Sequence, residues 1–294
     1  MNRRQAWVLA ARVPTLPAAI APVVVGSAAA AHDGMFDWVG ATGALIVALA
    51  IQIGTNFSND AFDFLHGADT AHRLGPPRVT QAGLLTARAV LMGAYLCFGV
   101  AAVIGVYFVS RFGWPVLLVG LLAIASGLAY TAGPWPIAYH ALGEVFVFAF
   151  FGLVAVAGTA FVQTGRLPPL ALGAAVPVGL LCTAILIVNN LRDVETDRAA
   201  GKRTLAVVLG PSFARGLYLG CLAAAAISPA ILRAVGLTGS LFWLPWLMLP
   251  RMATLAGMVR PQADPERLNL ALKMTAQLHM LFALLLAGSL VGSS

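Results

Sequence analysis

An all-α protein that spans a membrane about nine times is the fold this 294-residue chain predicts, on three observations. Hydrophobic residues make up 60% of the chain and charged residues only 10%, against about 25% charged in soluble domains. The mean hydropathy is +0.88, and apolar runs of roughly 20 residues, long enough to cross a bilayer core, recur throughout. Stretches such as Ala44–Ile51 are apolar all round, unlike the alternating ten-residue strands of a membrane β-barrel.

The first run, near 14–32, follows Arg3 and Arg4 and holds Ala28–Ala31, which together have the outline of a secretory signal. Pro14, Pro17 and Pro22 break it up, and it is read as a first span. The second, near 38–57, ends in polar residues, and 88–109 and 112–132 follow. The fifth, near 144–163, opens on Glu144, where an acid complements a helix dipole. The sixth, near 168–190, ends on Asn189-Asn190, and 212–234, 239–257 and 270–291 complete the set. Arg251 falls near the inner end of the eighth run, where it is expected to snorkel to the phosphate layer. Cys97, Cys182 and Cys221 stand singly within apolar runs and read as small buried hydrophobes, with no disulfide framework or zinc site. Without linker or low-complexity tail, residues 1–294 are expected to form one domain.

With a cytoplasmic N-terminus, nine spans put the connections 58–87, 133–143, 191–211 and 258–269 inside the cell. Fifteen of the 18 Lys and Arg then lie inside, leaving only Arg111, Arg166 and Arg233 outside. That is the positive-inside asymmetry. The net charge of +7 therefore reports topology in the cell's plasma (inner) membrane, and the expected partner is the lipid bilayer, with no nucleic acid.

Polar chemistry concentrates where the second and sixth runs end. Asn56, Asp60 and Asp63 form one cluster and Asn189, Asp193 and Asp197 the other. On a helix these offsets of four and three residues stack the side chains on one face. Oxygen-only clusters suit a hard cation, and Mg²⁺ in particular is held by one or two carboxylates together with substrate phosphates and water. Two such walls suit a bridged diphosphate. Arg78 and Lys202 follow the two clusters and are the candidates for diphosphate contact. Arg73, Arg192, Arg198 and Arg203 read as ordinary positive-inside residues. None of His32, His66, His72, His140 and His279 pairs at ligand spacing, and the motif-loop histidines His66 and His72 read as solvated.

The stretch Asn56-Phe-Ser-Asn59-Asp60-Ala-Phe-Asp63-Phe-Leu-His-Gly67-Ala-Asp69, with Asn189-Asn190-Leu-Arg-Asp193-Val-Glu-Thr-Asp197 and the following Gly201-Lys202-Arg-Thr204, resembles the UbiA-type intramembrane aromatic prenyltransferases. The Pro76-Pro77-Arg78-Val-Thr-Gln-Ala-Gly83 loop, the Tyr130-Thr-Ala-Gly-Pro134-Trp-Pro136 turn and Leu142-Gly143-Glu144 are most similar to the branch acting in menaquinone biosynthesis. The resemblance covers essentially the whole chain. It implies that a polyprenyl diphosphate loses its diphosphate at two Mg²⁺ sites held by Asp60, Asp63, Asp193 and Asp197, with Asn56 and Asn189 completing or orienting the shells. The allylic carbon is then captured by 1,4-dihydroxy-2-naphthoate at the ring carbon bearing the carboxylate, CO₂ leaves, and demethylmenaquinone results. Aromatic faces at Phe57, Phe62 or Tyr130 are candidates to shield the positive carbon, and Asn59, Tyr130, Glu144 and Asn190 are candidate contacts for the acceptor, with Glu144 a candidate to bind or deprotonate one of its hydroxyls. On this reading Asp60→Ala or Asp193→Ala abolishes turnover with little loss of folded protein.

Tyr130 is followed by Thr131 and Ala132, without the Lys that often follows such a Tyr in 4-hydroxybenzoate prenyltransferases, which favours the naphthoate. That benzoate remains the alternative acceptor. A cation-coupled transporter is the more distant alternative, since membrane carboxylates also mark ion pathways, but it would place acids at mid-span beside broken helices.

Overall fold

A computed structural model describes residues 1–67, 77–133, 135–261 and 263–292. Asp69, His72, Arg73 and Pro134 lie outside the described residues. Among the described residues all regular secondary structure is helical, apart from an isolated bridge between His140 and Arg203.

The N-terminal helix α1 (Arg3–Ala11) starts on a capping box in which Asn2 and Gln5 bond each other's backbone. It meets α2 (Pro17–His32) at a 51° bend. Pro14 and Pro17 lack the N–H groups that would continue the ladder, and Arg12 adopts a left-handed φ of 51°. The carbonyl of Ala11 takes a hydrogen bond from the Asn56 side chain instead, Nδ2 to O at 3.0 Å. Satisfying such freed backbone groups internally is what permits a break inside lipid.

Helix α3 (Trp38–Leu65) is capped by Asp37, which accepts from Val39 and Gly40 N–H. It runs two turns beyond the apolar stretch, so Asn56, Asp60 and Asp63 all lie on continuous helix. Next come α4 (Ala87–Phe112), α5 (Trp114–Ala129), α6 (Gly143–Val147), a π-helical segment over Phe148–Val154, and α7 (Ala155–Thr164). Helix α8 (Pro169–Arg192) is the most enclosed span, with 67% of its apolar window buried. It is followed by α9 (Val194–Ala199), α10 (Leu205–Val208), α11 (Pro211–Ala234), a 3₁₀ turn over Leu244–Met248, α12 (Leu249–Met258) and α13 (Pro265–Val291).

The main core joins α2, α8, α11 and α13, with Val25, Leu181, Tyr218 and Phe282 fully buried. A second cluster joins α1, α3 and α4 through Phe57, Val90 and Phe98. The π segment lets the chain pass very close to α8: a Cβ on Gly152 would come within 2.6 Å of the Gly179 Cα.

Length and composition support six spans, or seven when the bent α1–α2 pair counts as one. The other two expected spans are met by shorter pieces. Gly113, with φ of 80°, separates α5 from α4 and leaves it 16 residues, about 24 Å at 1.5 Å per residue. Over 239–257 a 3₁₀ turn precedes a ten-residue helix, and Pro245 and Pro250 open the two pieces. The Arg251 guanidinium donates to Gln277 on α13.

The bundle has two chemically distinct ends. At one, Asp33 pairs with Arg166 at 3.0 Å and Asp37 with Arg111 at 3.4 Å, so two of the three cations expected outside have acidic partners there. At the other end α3 and α8 both deliver their polar motifs.

Candidate active site

Asp60, 2% exposed, has its carboxylate turned to the loop that precedes α4. Its Oδ1 accepts from the Thr80 N–H at 3.0 Å and the Thr80 hydroxyl at 2.6 Å, and its Oδ2 from the Val79 N–H at 3.2 Å. A carboxylate offers about four lone-pair positions, so three are taken and one, on Oδ2, is left. Asp60 therefore anchors the Arg78 loop. That loop in turn aims Arg78 at the next turn of α3, where Nη2 donates to Asp63 Oδ2 at 2.8 Å. Both residues of this pair are buried. Asn56 gives its amide nitrogen to Ala11 and, at 3.0 Å, to the Thr15 hydroxyl, which leaves its Oδ1 as the end able to hold a cation.

The second motif is not one helix. Helix α8 ends at Arg192, Asp193 is its C-cap, and α9 begins at Val194. The expected straight i, i+4 stack of Asn189, Asp193 and Asp197 is thus broken at Asp193, although the Asp197 N–H still bonds the Asp193 carbonyl at 2.7 Å. The cap allows Arg192 to fold back onto Asp193, with Nε to Oδ1 at 2.7 Å and Nη2 to Oδ2 at 2.5 Å. The same guanidinium donates to Asn189 Oδ1 and to Asn269 Oδ1 of α13, each at 2.9 Å. Arg192, read from sequence as a topology charge, is a buried member of this cluster. Arg198, by contrast, is exposed and pairs with Glu195.

The two motifs meet through Lys202. Its Nζ lies 3.3 Å from Asp63 Oδ1, across 139 residues of sequence, and 5.3 Å from the centre of the Tyr139 ring. The backbone bridge between His140 and Arg203 holds the loop carrying Lys202 against the loop carrying Tyr139.

Beside this seam lie the candidate acceptor contacts. Thr131 donates its hydroxyl to Asn59 Oδ1 at 2.8 Å, tying the Tyr130 turn to the first motif. Tyr130 stands just past the end of α5 with its hydroxyl close to Gly143. Enclosure first, then the negative charges of Glu144, Asp63 and Asp197, push its phenol above the ordinary tyrosine value. Tyr130 is thus within electrostatic reach of both motifs. Glu144, 5% exposed, accepts from Asn190 Nδ2 at 2.9 Å through Oε1, while its Oε2 is buried with no partner among the described residues. Leaving such an oxygen unmatched costs about 1–3 kcal/mol. Phe57 packs edge-on against Trp7 in the second core cluster, which makes it a packing residue. Phe62 stacks beside His66, which is exposed.

Among the described residues no three His, Cys, Asp or Glu side chains converge as a closed metal cage. The donors present are hard oxygens with Arg78, Arg192 and Lys202 among them. Such a set fits Mg²⁺ completed by phosphate oxygens better than a metal held by protein alone. Thr80, Tyr139 and Asn269 join the site without a sequence-based expectation, and Thr131 and Arg192 join it in roles that the sequence does not suggest. Thr80 lies within the Arg78 loop motif, and for Asn269 no sequence signal exists.

Fold and site together define a polytopic helical membrane protein with two acid-and-cation clusters joined at one end of its bundle. The UbiA prenyltransferase family matches residues 19–290, and the chain belongs to that family. It is 38% identical to the 1,4-dihydroxy-2-naphthoate octaprenyltransferase of Mycobacterium tuberculosis over 97% of this chain and 96% of that protein. The Escherichia coli protein of that name is 36% identical over 97% of this chain and 94% of its own length. Among solved structures, a UbiA homolog from Archaeoglobus fulgidus bound to GPP and Mg²⁺ superposes with a TM-score of 0.71 at 16% identity, covering 98% of this chain and 99% of that one. At that identity the likeness speaks for the fold.

Proposed function

We propose that this protein is a membrane prenyltransferase of menaquinone biosynthesis, moving a polyprenyl group from its diphosphate to 1,4-dihydroxy-2-naphthoate with loss of diphosphate and CO₂. The contact of Lys202 with Asp63 carries the reading, because it joins two distant motifs into one anion-handling centre. The names of the full-length relatives supply the acceptor.

Asn56, Asp60, Asp63, Asn189, Asp193 and Asp197 are the residues that would hold Mg²⁺, at two sites. Bound there, the metal supplies charge stabilisation of the leaving diphosphate oxygens. Arg78, Lys202 and Arg192 add fixed positive charge where negative charge develops on the leaving group. The guanidinium groups bring planar paired donors, and Lys202 a point charge. The enclosed wall of α8, with Tyr130 and the Thr131–Asn59 tie, keeps water from the allylic carbon and orients the acceptor. We place this centre at the cytoplasmic face of the plasma membrane, since the motif end of the bundle carries most of the cations.

The test is incubation of purified protein with Mg²⁺, a polyprenyl diphosphate and either 1,4-dihydroxy-2-naphthoate or 4-hydroxybenzoate, followed by mass analysis of the lipid fraction. Decarboxylated prenyl-naphthohydroquinone, or the quinone it oxidises to, is expected. Product from the benzoate alone overturns the acceptor, and no product from either overturns the activity.

A further inference from the structure

We propose that Glu144 is a catalytic residue that borrows and returns the proton of the acceptor hydroxyl next to the carboxylate-bearing carbon. This deepens the function proposed above and rests on it. Glu144 is 5% exposed, its Oε1 is occupied by Asn190 at 2.9 Å, and its Oε2 has no hydrogen-bond partner among the described residues. Among the described residues it makes no ion pair. A structural carboxylate at that depth is expected to be paired or fully hydrogen-bonded. This one is half used: Asn190 holds it in place through one oxygen and leaves the other to accept a proton.

Its position suits that work. Asn190 adjoins Asn189 of the second motif, and Glu144 follows Gly143, against which the Tyr130 hydroxyl lies. Glu144 is therefore tied to the second motif through Asn190 and borders the Tyr130 turn, and among the described residues no Lys or Arg bonds its Oε2. That matters, since a cation bonded to Oε2 would block it as a base.

The chemistry needs a base at this point. In a 1,4-dihydroxy-2-naphthoate only the 1-hydroxyl is conjugated to drive attack from C2; the 4-hydroxyl activates C3. As the new bond forms between C2 and the allylic carbon, the allylic C–O bond breaks and its electron pair leaves with the diphosphate. The 1-hydroxyl proton passes to Glu144 Oε2, and its electron pair becomes the C1 carbonyl. The product of that step is a β-keto carboxylate, which loses CO₂. The electron pair of the broken C–C bond restores the aromatic ring as the C1 oxyanion, and this takes the proton back from Glu144. One proton is borrowed and returned, and no oxidant or further acid is required.

The experiment compares the wild-type protein with Glu144→Gln and Glu144→Asp in detergent, with Mg²⁺, farnesyl diphosphate and the naphthoate. Glu144→Gln keeps the shape and the Asn190 contact while removing the base. It is expected to lower kcat by about 10²–10⁴-fold, the usual contribution of a general base. KM for the naphthoate and calorimetric binding of farnesyl diphosphate with Mg²⁺ should stay within about threefold of wild type, and Glu144→Asp should recover part of kcat. A purely structural role would instead weaken diphosphate binding along with turnover. The wild-type protein also provides a variant-free measurement: the 1-methyl ether of the naphthoate, which has no proton to lend, should give no product. Turnover of that ether at the rate of the parent, or a Glu144→Gln kcat within threefold of wild type, overturns the proposal and leaves the prenyltransferase reading intact. Failure of the wild-type protein to prenylate the naphthoate removes the reading and this proposal with it.

Discussion

Asp60→Ala is the most informative single substitution, because Asp60 both anchors a loop and belongs to the proposed metal shell. The change strips the acceptor from the Val79 N–H, the Thr80 N–H and the Thr80 hydroxyl, bonded at 3.2, 3.0 and 2.6 Å. Hydrogen bonds to charged groups contribute about 1.5–3 kcal/mol each, which sets a ceiling of ~4.5–9 kcal/mol for three. The loop borders the polar end of the bundle and can turn to water, so ~3 kcal/mol of net destabilisation is expected. At roughly 2–4 °C per kcal/mol for chains of this order of size, the melting midpoint should fall by ~6–12 °C. Asp60→Asn keeps Oδ1 for Thr80 and should fall by about half as much. Thermal unfolding of the purified protein in detergent, followed by tryptophan fluorescence, measures both. A Thr80→Val partner decides the cause: the double variant should be less destabilised than the two singles summed, by about 1–2 kcal/mol. A midpoint within ~2 °C of wild type for Asp60→Ala, with no coupling to Thr80, would show that Asp60 does not hold the loop. The expectation that this substitution spares the fold is thereby revised; for Asp60, activity and stability fall together.

Arg192→Met removes the guanidinium that bridges Asp193, Asn189 and Asn269, and breaking so enclosed a pair should destabilise by up to ~3–5 kcal/mol. Calorimetry should also show weaker diphosphate binding, and unchanged affinity would exclude Arg192 from the anion site. Lys202→Gln, at a residue less enclosed than Arg78, should leave the melting midpoint nearly unchanged while raising KM for the polyprenyl diphosphate about tenfold or more; an unaltered KM counts against the junction of the two motifs as the phosphate site. Chelation with EDTA should abolish product formation and added Mg²⁺ restore it, and full activity in excess chelator would rule out the metal. Gly152→Val would force the π segment away from α8, since even a Cβ there meets the Gly179 Cα at 2.6 Å. A loss of ~1–3 kcal/mol is expected from such overpacking, and a wild-type melting curve would mean that this crossing is free to widen.

The amino-acid sequence by itself determined the membrane class, the bundle of apolar helices, the two Asn-Asp motifs and the chemistry of their partners Arg78 and Lys202. These are legible because apolar run length, loop charge and helical spacing act over a few residues to a few turns of chain. It also led to the family, through motif residues that stand at fixed local offsets. Tertiary structure decided how those pieces are used. Asp60 is spent largely on the Val79–Thr80 loop, α8 stops one residue before Asp193, and Arg192 becomes a buried ligand of its own motif because that stop lets it fold back. Two expected spans shorten where Gly113, Pro245 and Pro250 interrupt the ladder. Glu144 finds Asn190 across 46 residues and Lys202 finds Asp63 across 139. No local rule encodes such pairings, since they depend on which helices the packing of α2, α8 and α13 brings side by side. The same packing leaves one Glu144 oxygen without a partner, a fact about surroundings that no reading of Leu142-Gly143-Glu144 contains.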